Sequence, residues 1–130
     1  MITRRNIVLG AGFIALSTAI DAKAAPATVF SSSAFEAAQA AEKPILIVIH
    51  ATWCPTCKAQ EPILSSLLAT PKFQAMVPLS VDFDAQKPAV RDFKAQMQST
   101  LIVYRGRTER GRSVGDTNAA SIEALLAKAL

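Results

Sequence analysis

The chain has 130 residues, of which 51% are hydrophobic and 18% charged, with a formal net charge of +4. That length suits one compact domain and not two, and that hydrophobic share excludes general disorder. Half of the net charge belongs to the first 24 residues, where Arg4, Arg5 and Lys23 outnumber Asp21. The remainder is too mild to argue for a nucleic-acid partner.

The N-terminal segment has the layout of an export signal. Thr3-Arg4-Arg5-Asn6 is a short positive region, Ile7 to Ile20 is uncharged and apolar or small, and Ala22-Lys23-Ala24 forms an A-x-A-like cleavage site. Cleavage there makes residues 1–24 a signal peptide and residues 25–130 the domain. The apolar run is shorter than the roughly 20 residues that span a bilayer, which favours cleavage over retention as an anchor. The pair Arg4-Arg5 also resembles a twin-arginine export signal. The expected location is the periplasm, an oxidising compartment.

Val29-Phe30 is expected as a brief strand. Ser31 to Ser33 offer N-cap hydroxyls to a helix running through Phe35 and Ala38 to about Ala41, and Lys43-Pro44 ends it. Ile45 to Ile49 is an unbroken, mostly β-branched run, which suits a central strand covered on both faces. It stops at His50. After the loop Ala51-Thr52-Trp53, a helix starting near Cys54 carries Ile63, Leu64, Leu67 and Leu68 on one stripe and ends before Pro71. Pro62 inside it removes an amide donor and is expected to kink it. Val77 to Phe83 reads as the next strand, followed by a helix with Val90, Phe93 and Met97 at helical spacing. Thr100 to Tyr104, the turn Arg105-Gly106-Arg107 and Glu109 to Val114 form a hairpin. A last helix from about Asn118 to Ala129 sets Ile122, Leu125, Leu126 and Leu130 on one face. The order β-α-β-α-β-α-β-β-α predicts an α/β domain with a mixed central β-sheet and helices on both faces.

Two cysteines in an exported chain would ordinarily make one structural disulfide. Cys54 and Cys57, three residues apart, close too small a loop to staple the fold, so their bridge is better suited to opening and closing. The helix start stabilises a thiolate at Cys54 through free backbone N–H groups and the positive end of the dipole. Pro55 fits the first helical turn. Cys57 lies one turn deeper on the same face, within bridging distance and more shielded. A metal site is the rival reading, with Cys54 and Cys57 as ligands; since zinc wants four, either His50 adds a third if the loop folds back, or two copies share the metal.

The segment Trp53-Cys54-Pro55-Thr56-Cys57-Lys58, preceded by a buried apolar strand and followed by Pro62, resembles the thioredoxin family. The likeness is strong from about Ile45 to Leu68, with weaker echoes at Thr100 to Gly106 and at Gly115. It implies a thioredoxin-like fold, three-layer α/β/α, and thiol–disulfide oxidoreductase activity through Cys54 and Cys57. It also implies no cofactor beyond the redox-active Cys54–Cys57 disulfide, no metal, protein thiol or disulfide clients, a membrane redox partner and a monomeric state. Trp53, Pro55, Thr56, Ser99 and Thr100 fall at the client-contacting surface.

Three positions depart from the family. Val48 stands where thioredoxins carry a buried acidic residue that helps deprotonate the resolving thiol, and Ser80 where they carry its partner lysine. Ser99 stands where nearly the whole family has a cis-proline facing the dithiol. A cis peptide before serine is costly, so a trans bond is expected. The departures point to a specialised exchange protein with a narrow set of clients. The chain has no room for the large helical insertion of the dedicated envelope oxidants, which favours reduction or exchange.

His50 is the only histidine and reads as a packing or hydrogen-bonding residue that would modulate the thiols if close. Glu61 reads as a solvated helix residue. Arg105, Arg107, Arg110 and Arg112 read as a solvated turn that discourages edge pairing, with a docking patch for an acidic partner as the functional alternative.

Overall fold

The computed structural model describes residues 27–130. The expected signal peptide and cleavage site, residues 1–24, lie outside the described residues. Ten elements follow one another. They are β1 (Thr28–Val29), α1 (Ser32–Ala40), β2 (Pro44–His50), α2 (Pro55–Leu68), a 3-10 turn (Pro71–Phe73), β3 (Val77–Asp82), α3 (Lys87–Asp92), β4 (Thr100–Arg105), β5 (Thr108–Val114) and α4 (Ala119–Ala127). The strands form one sheet in the order β1-β3-β2-β4-β5. β2 pairs with β3 in parallel and with β4 antiparallel, so the sheet is mixed, as the element order predicts.

β2 lies at the centre because both of its faces are apolar. Ile45, Ile47 and Ile49 point to one side and pack with Leu79, Val81 and Ile102 under α1 and α3. Leu46 and Val48 point to the other side, toward α2 and α4, with Leu101, Val103, Leu64, Ile122 and Leu126. Each fully buried Ile or Leu stabilises the fold by about 1.5–3 kcal/mol. Phe30, Phe35, Phe93 and Tyr104 add an aromatic cluster on the first side, with ring centroids 5.3–6.2 Å apart and mostly edge-on.

Two helix ends use left-handed residues that are not glycine. Glu42 has φ 54° and Lys94 φ 53°. In α1 the amides of Glu42 and Lys43 return to the carbonyls of Gln39 and Ala38, and in α3 those of Lys94 and Ala95 return to Arg91 and Val90. Both are Schellman closures. The second corrects the expected helix through Met97. The chain turns off the helix at Lys94, and Met97 is left 51% exposed. Leu130 is also outside its helix and exposed, and Ala129 takes the buried place beside Ile122, Leu125 and Leu126. Pro62 is carried inside α2 without ending it.

β5 is an edge strand, and its register slips between Val103 and Tyr104, so Arg110 has no partner on β4. A bulge with charged side chains protects such an edge from pairing with another chain. Arg112 is already engaged, donating to the Glu109 carboxylate and to the Phe93 carbonyl.

Removing the centre of the aromatic cluster should be costly. Phe93→Ala is expected to lower the unfolding free energy by about 3–5 kcal/mol in urea titration. A loss below about 1 kcal/mol would show that the cluster collapses around the gap.

Candidate active site

The loop after β2 delivers the cysteines to the start of α2. Cys54 is the N-cap residue, with φ −86° and ψ 110°, and its Sγ accepts the amide N–H of Cys57 at 3.1 Å. Pro55 follows at the first helical position, where a missing N–H costs nothing. The amide of Cys54 itself donates to the Ala51 carbonyl, which closes the loop under the helix. The two cysteines are joined in a disulfide with their Cα atoms 5.3 Å apart. When that bond opens, the Cys57 amide and the helix dipole favour the thiolate at Cys54.

Neither cysteine stands open in this disulfide state. Cys54 is 1% exposed and Cys57 4%, so the expectation that Cys57 would be the more shielded of the two is corrected. Cys54 is enclosed by Ala51 and by Phe83, which packs against the pair. Cys57 instead lines a cavity of about 430 Å³ between α2 and the sheet. The cavity has a clear origin in the register. Pro78, Ser80 and Asp82 on β3 lie opposite Leu46, Val48 and His50 on β2. They turn the same face toward α2, but they supply small or polar groups where the rest of that face supplies core.

The other expected contact residues divide. Trp53 is 57% exposed beside the disulfide, with its indole N–H donating to Asp84 Oδ2 at 2.7 Å. Pro55 is exposed and Thr56 half-buried. Ser99 and Thr100 are buried, with their hydroxyls donating to the Gln98 and Met97 carbonyls. Both hydroxyls are thus turned to the backbone of their own loop. The peptide before Ser99 is trans, as expected. Ser99 nonetheless has φ 60°, a left-handed conformation of the kind that costs about 1–3 kcal/mol unless its surroundings hold it.

What holds it is Gln60, which sequence reasoning passed over. This side chain is fully buried, and its amide donates to the carbonyls of Ser99 at 3.3 Å and Asp116 at 2.8 Å. Gly115 N–H donates to the same Ser99 carbonyl. One glutamine therefore ties the helix of the dithiol to the two loops flanking the hairpin. The signal was present in the spacing, since Cys57, Gln60 and Leu64 share one helical stripe and only a bonded polar residue is tolerated there.

Asp82 also has a defined electrostatic state. Amide N–H donation from Ala85 lowers its carboxyl below the ordinary value, helped by Asp84 and the nearby His50 and opposed by partial burial.

An enclosed cysteine pair at a helix start, on a mixed five-stranded sheet, defines a dithiol–disulfide exchange protein. Known proteins narrow the class. Residues 26–128 match the Thioredoxin family model. Thioredoxin from Mycolicibacterium smegmatis is 34% identical over 89 residues, covering 68% of this chain and 80% of that protein. The crystal structure of Trxlp from Edwardsiella tarda superposes with a TM-score of 0.76 at 40% identity, over 78% of this chain and 98% of that one. Malassezia sympodialis thioredoxin shares the fold, with a TM-score of 0.69 at 22% identity over 78% of this chain and 88% of that one. The chain belongs to the thioredoxin family and is a thiol–disulfide oxidoreductase.

Because the depressed folded-state value of Asp82 adds stability at neutral pH, that contribution is lost as pH falls from about 3.8 through the lower value. Asp82→Asn should unfold at a lower urea concentration than the parent at pH 7, and the gap should narrow at about pH 3. An equal gap at both pH values would remove the charge from the account.

Proposed function

We propose that the protein reduces or exchanges disulfides in a narrow set of client proteins of the bacterial cell envelope, with Cys54 attacking and Cys57 resolving. The observation that carries the assignment of roles is the Cys57 amide on the Cys54 sulfur, because only Cys54 sits where the helix start stabilises an anion. The Cys54 thiolate attacks a client disulfide and bonds to one client sulfur, while the other leaves as a thiolate and takes up a proton. Cys57 then loses its proton and attacks the Cys54 sulfur. A disulfide between Cys54 and Cys57 forms as the second client thiolate departs. Two electrons pass from the protein to the client, and the disulfide is the only redox group required. A dithiol reductant resets it, and the envelope reading assigns that part to a membrane redox partner.

The narrow client range rests on the loop before β4. Ser99 takes the place where relatives present proline, and its hydroxyl and that of Thr100 are spent on local carbonyls. The client-facing surface is then left to Trp53, Pro55 and Thr56, with backbone groups of Ser99 and Thr100 as further contacts. The envelope location rests on the basic and apolar leader, Thr3 to Ala24, and action as a monomer is part of the same reading. Family membership and the closed Cys54–Cys57 bridge favour exchange over the metal-module alternative.

Insulin reduction with dithiothreitol as recycling reductant tests the roles. Cys54→Ser is expected to lower the rate about 10³-fold or more, and Cys57→Ser, reduced beforehand and freed of dithiothreitol, to accumulate a mixed disulfide with insulin. Parental activity in Cys54→Ser, or no captured insulin chain in Cys57→Ser, would overturn the assignment.

A further inference from the structure

A resolving thiol must lose its proton before it attacks, and the proton needs an acceptor. Cys57 faces the cavity under α2. Across that cavity Val48 and Ser80 lie side by side in register, and neither takes a proton at neutral pH. Two other lining residues do carry titratable groups, His50 and Glu61. His50 stands two residues beyond Val48 on β2, so its ring projects from the same face, toward α2.

An acidic side chain stands beside His50 on the sheet. The register partner of His50 on β3 is Asp82. The Asp82 carboxylate accepts the amides of Asp84 at 2.9 Å and Ala85 at 2.8 Å, which hold it as an anion. Beside His50 on the sheet stands Asp82 from β3, and the titratable residues that line the cavity with it are Cys57 and Glu61 from α2. Gln60, one turn beyond Cys57, adds a buried carbonyl oxygen without a donor among the described residues. It lines the same cavity and is an acceptor for a hydrogen-bond chain across it. Glu61 is exposed at the rim, where water competes for it, and a carboxylate is a weak base toward a thiol.

We propose that His50 is the proton acceptor for Cys57, with Asp82 stabilising the imidazolium that forms. As the Cys57 S–H bond breaks, the proton crosses the cavity to the imidazole. The sulfur electron pair makes the new bond to Cys54 Sγ, and the client sulfur leaves with the electrons of the old bond. This rests on the exchange reading above and assigns its proton step.

Stopped-flow reaction of the reduced protein with dithiobis(nitrobenzoate) separates the two events. The first coloured thiolate reports attack by Cys54, and the second reports resolution by Cys57. His50→Gln is expected to slow the second release roughly 10²-fold at neutral pH and to leave the first unchanged. The two proteins should converge above about pH 9, where a free thiol ionises unaided. A second release that is unchanged, or slowed equally at every pH, overturns the proposal, as does Glu61→Gln producing the pH-dependent loss in its place. If His50→Gln fails to fold, the wild-type chain decides alone, because it has one histidine. The imidazole titration midpoint, read by NMR, should differ between the oxidised and reduced protein, and identical midpoints overturn the proposal. Absence of the first release in the wild type would instead refute the exchange reading itself.

Discussion

The amide of Cys57 donates to the Cys54 sulfur at 3.1 Å, and this contact joins the start of a helix to the chemistry of a thiol. As a cap it satisfies one of the amides that a helix start leaves without an internal partner. As a charge device it favours the thiolate at the cysteine that caps the helix. The same hydrogen bond therefore stabilises the helix and gives two chemically identical residues different surroundings. Its geometry depends on where α2 begins, and that is set by the central strand and the loop after it.

The sheet supplies the rigidity that this requires. β2 is clamped between a parallel and an antiparallel neighbour and covered on both faces, so its end at His50 is firmly placed. Gln60 then anchors α2 from within, reaching the loops before β4 and after β5 with one amide group. That link also holds Ser99 in its left-handed conformation. The side of the sheet beneath Cys57 is built differently from the rest. Small and polar residues on β3 leave a cavity there, and Cys57 lines it.

Much of this was legible in the sequence because it is local or periodic. The unbroken run from Ile45 to Ile49 announces a doubly covered strand, and the spacing of Cys54 and Cys57 announces an opening bridge. Met97 was misplaced because Lys94, a lysine, takes the left-handed position at the end of α3, where a glycine would have signalled the stop. Leu130 was misplaced because an apolar residue at the right interval carries no mark that the helix has already ended. Gln60 and the cavity are tertiary facts. They arise when α2 is laid across Val48, Ser80 and His50, and no window of sequence contains all of these. The relative shielding of the two cysteines was misjudged for the same reason, since Phe83 covers the pair from a distant strand end.

Exchange requires that the Cys54–Cys57 bond open and close in the folded protein. Equilibration of the native chain with dithiothreitol or glutathione buffers, with the redox state read by thiol alkylation, measures this most directly. A reversible two-electron transition is expected, with a potential more negative than about −200 mV, the range of dithiols that reduce their clients. A bridge that resists reduction until the protein unfolds would contradict it.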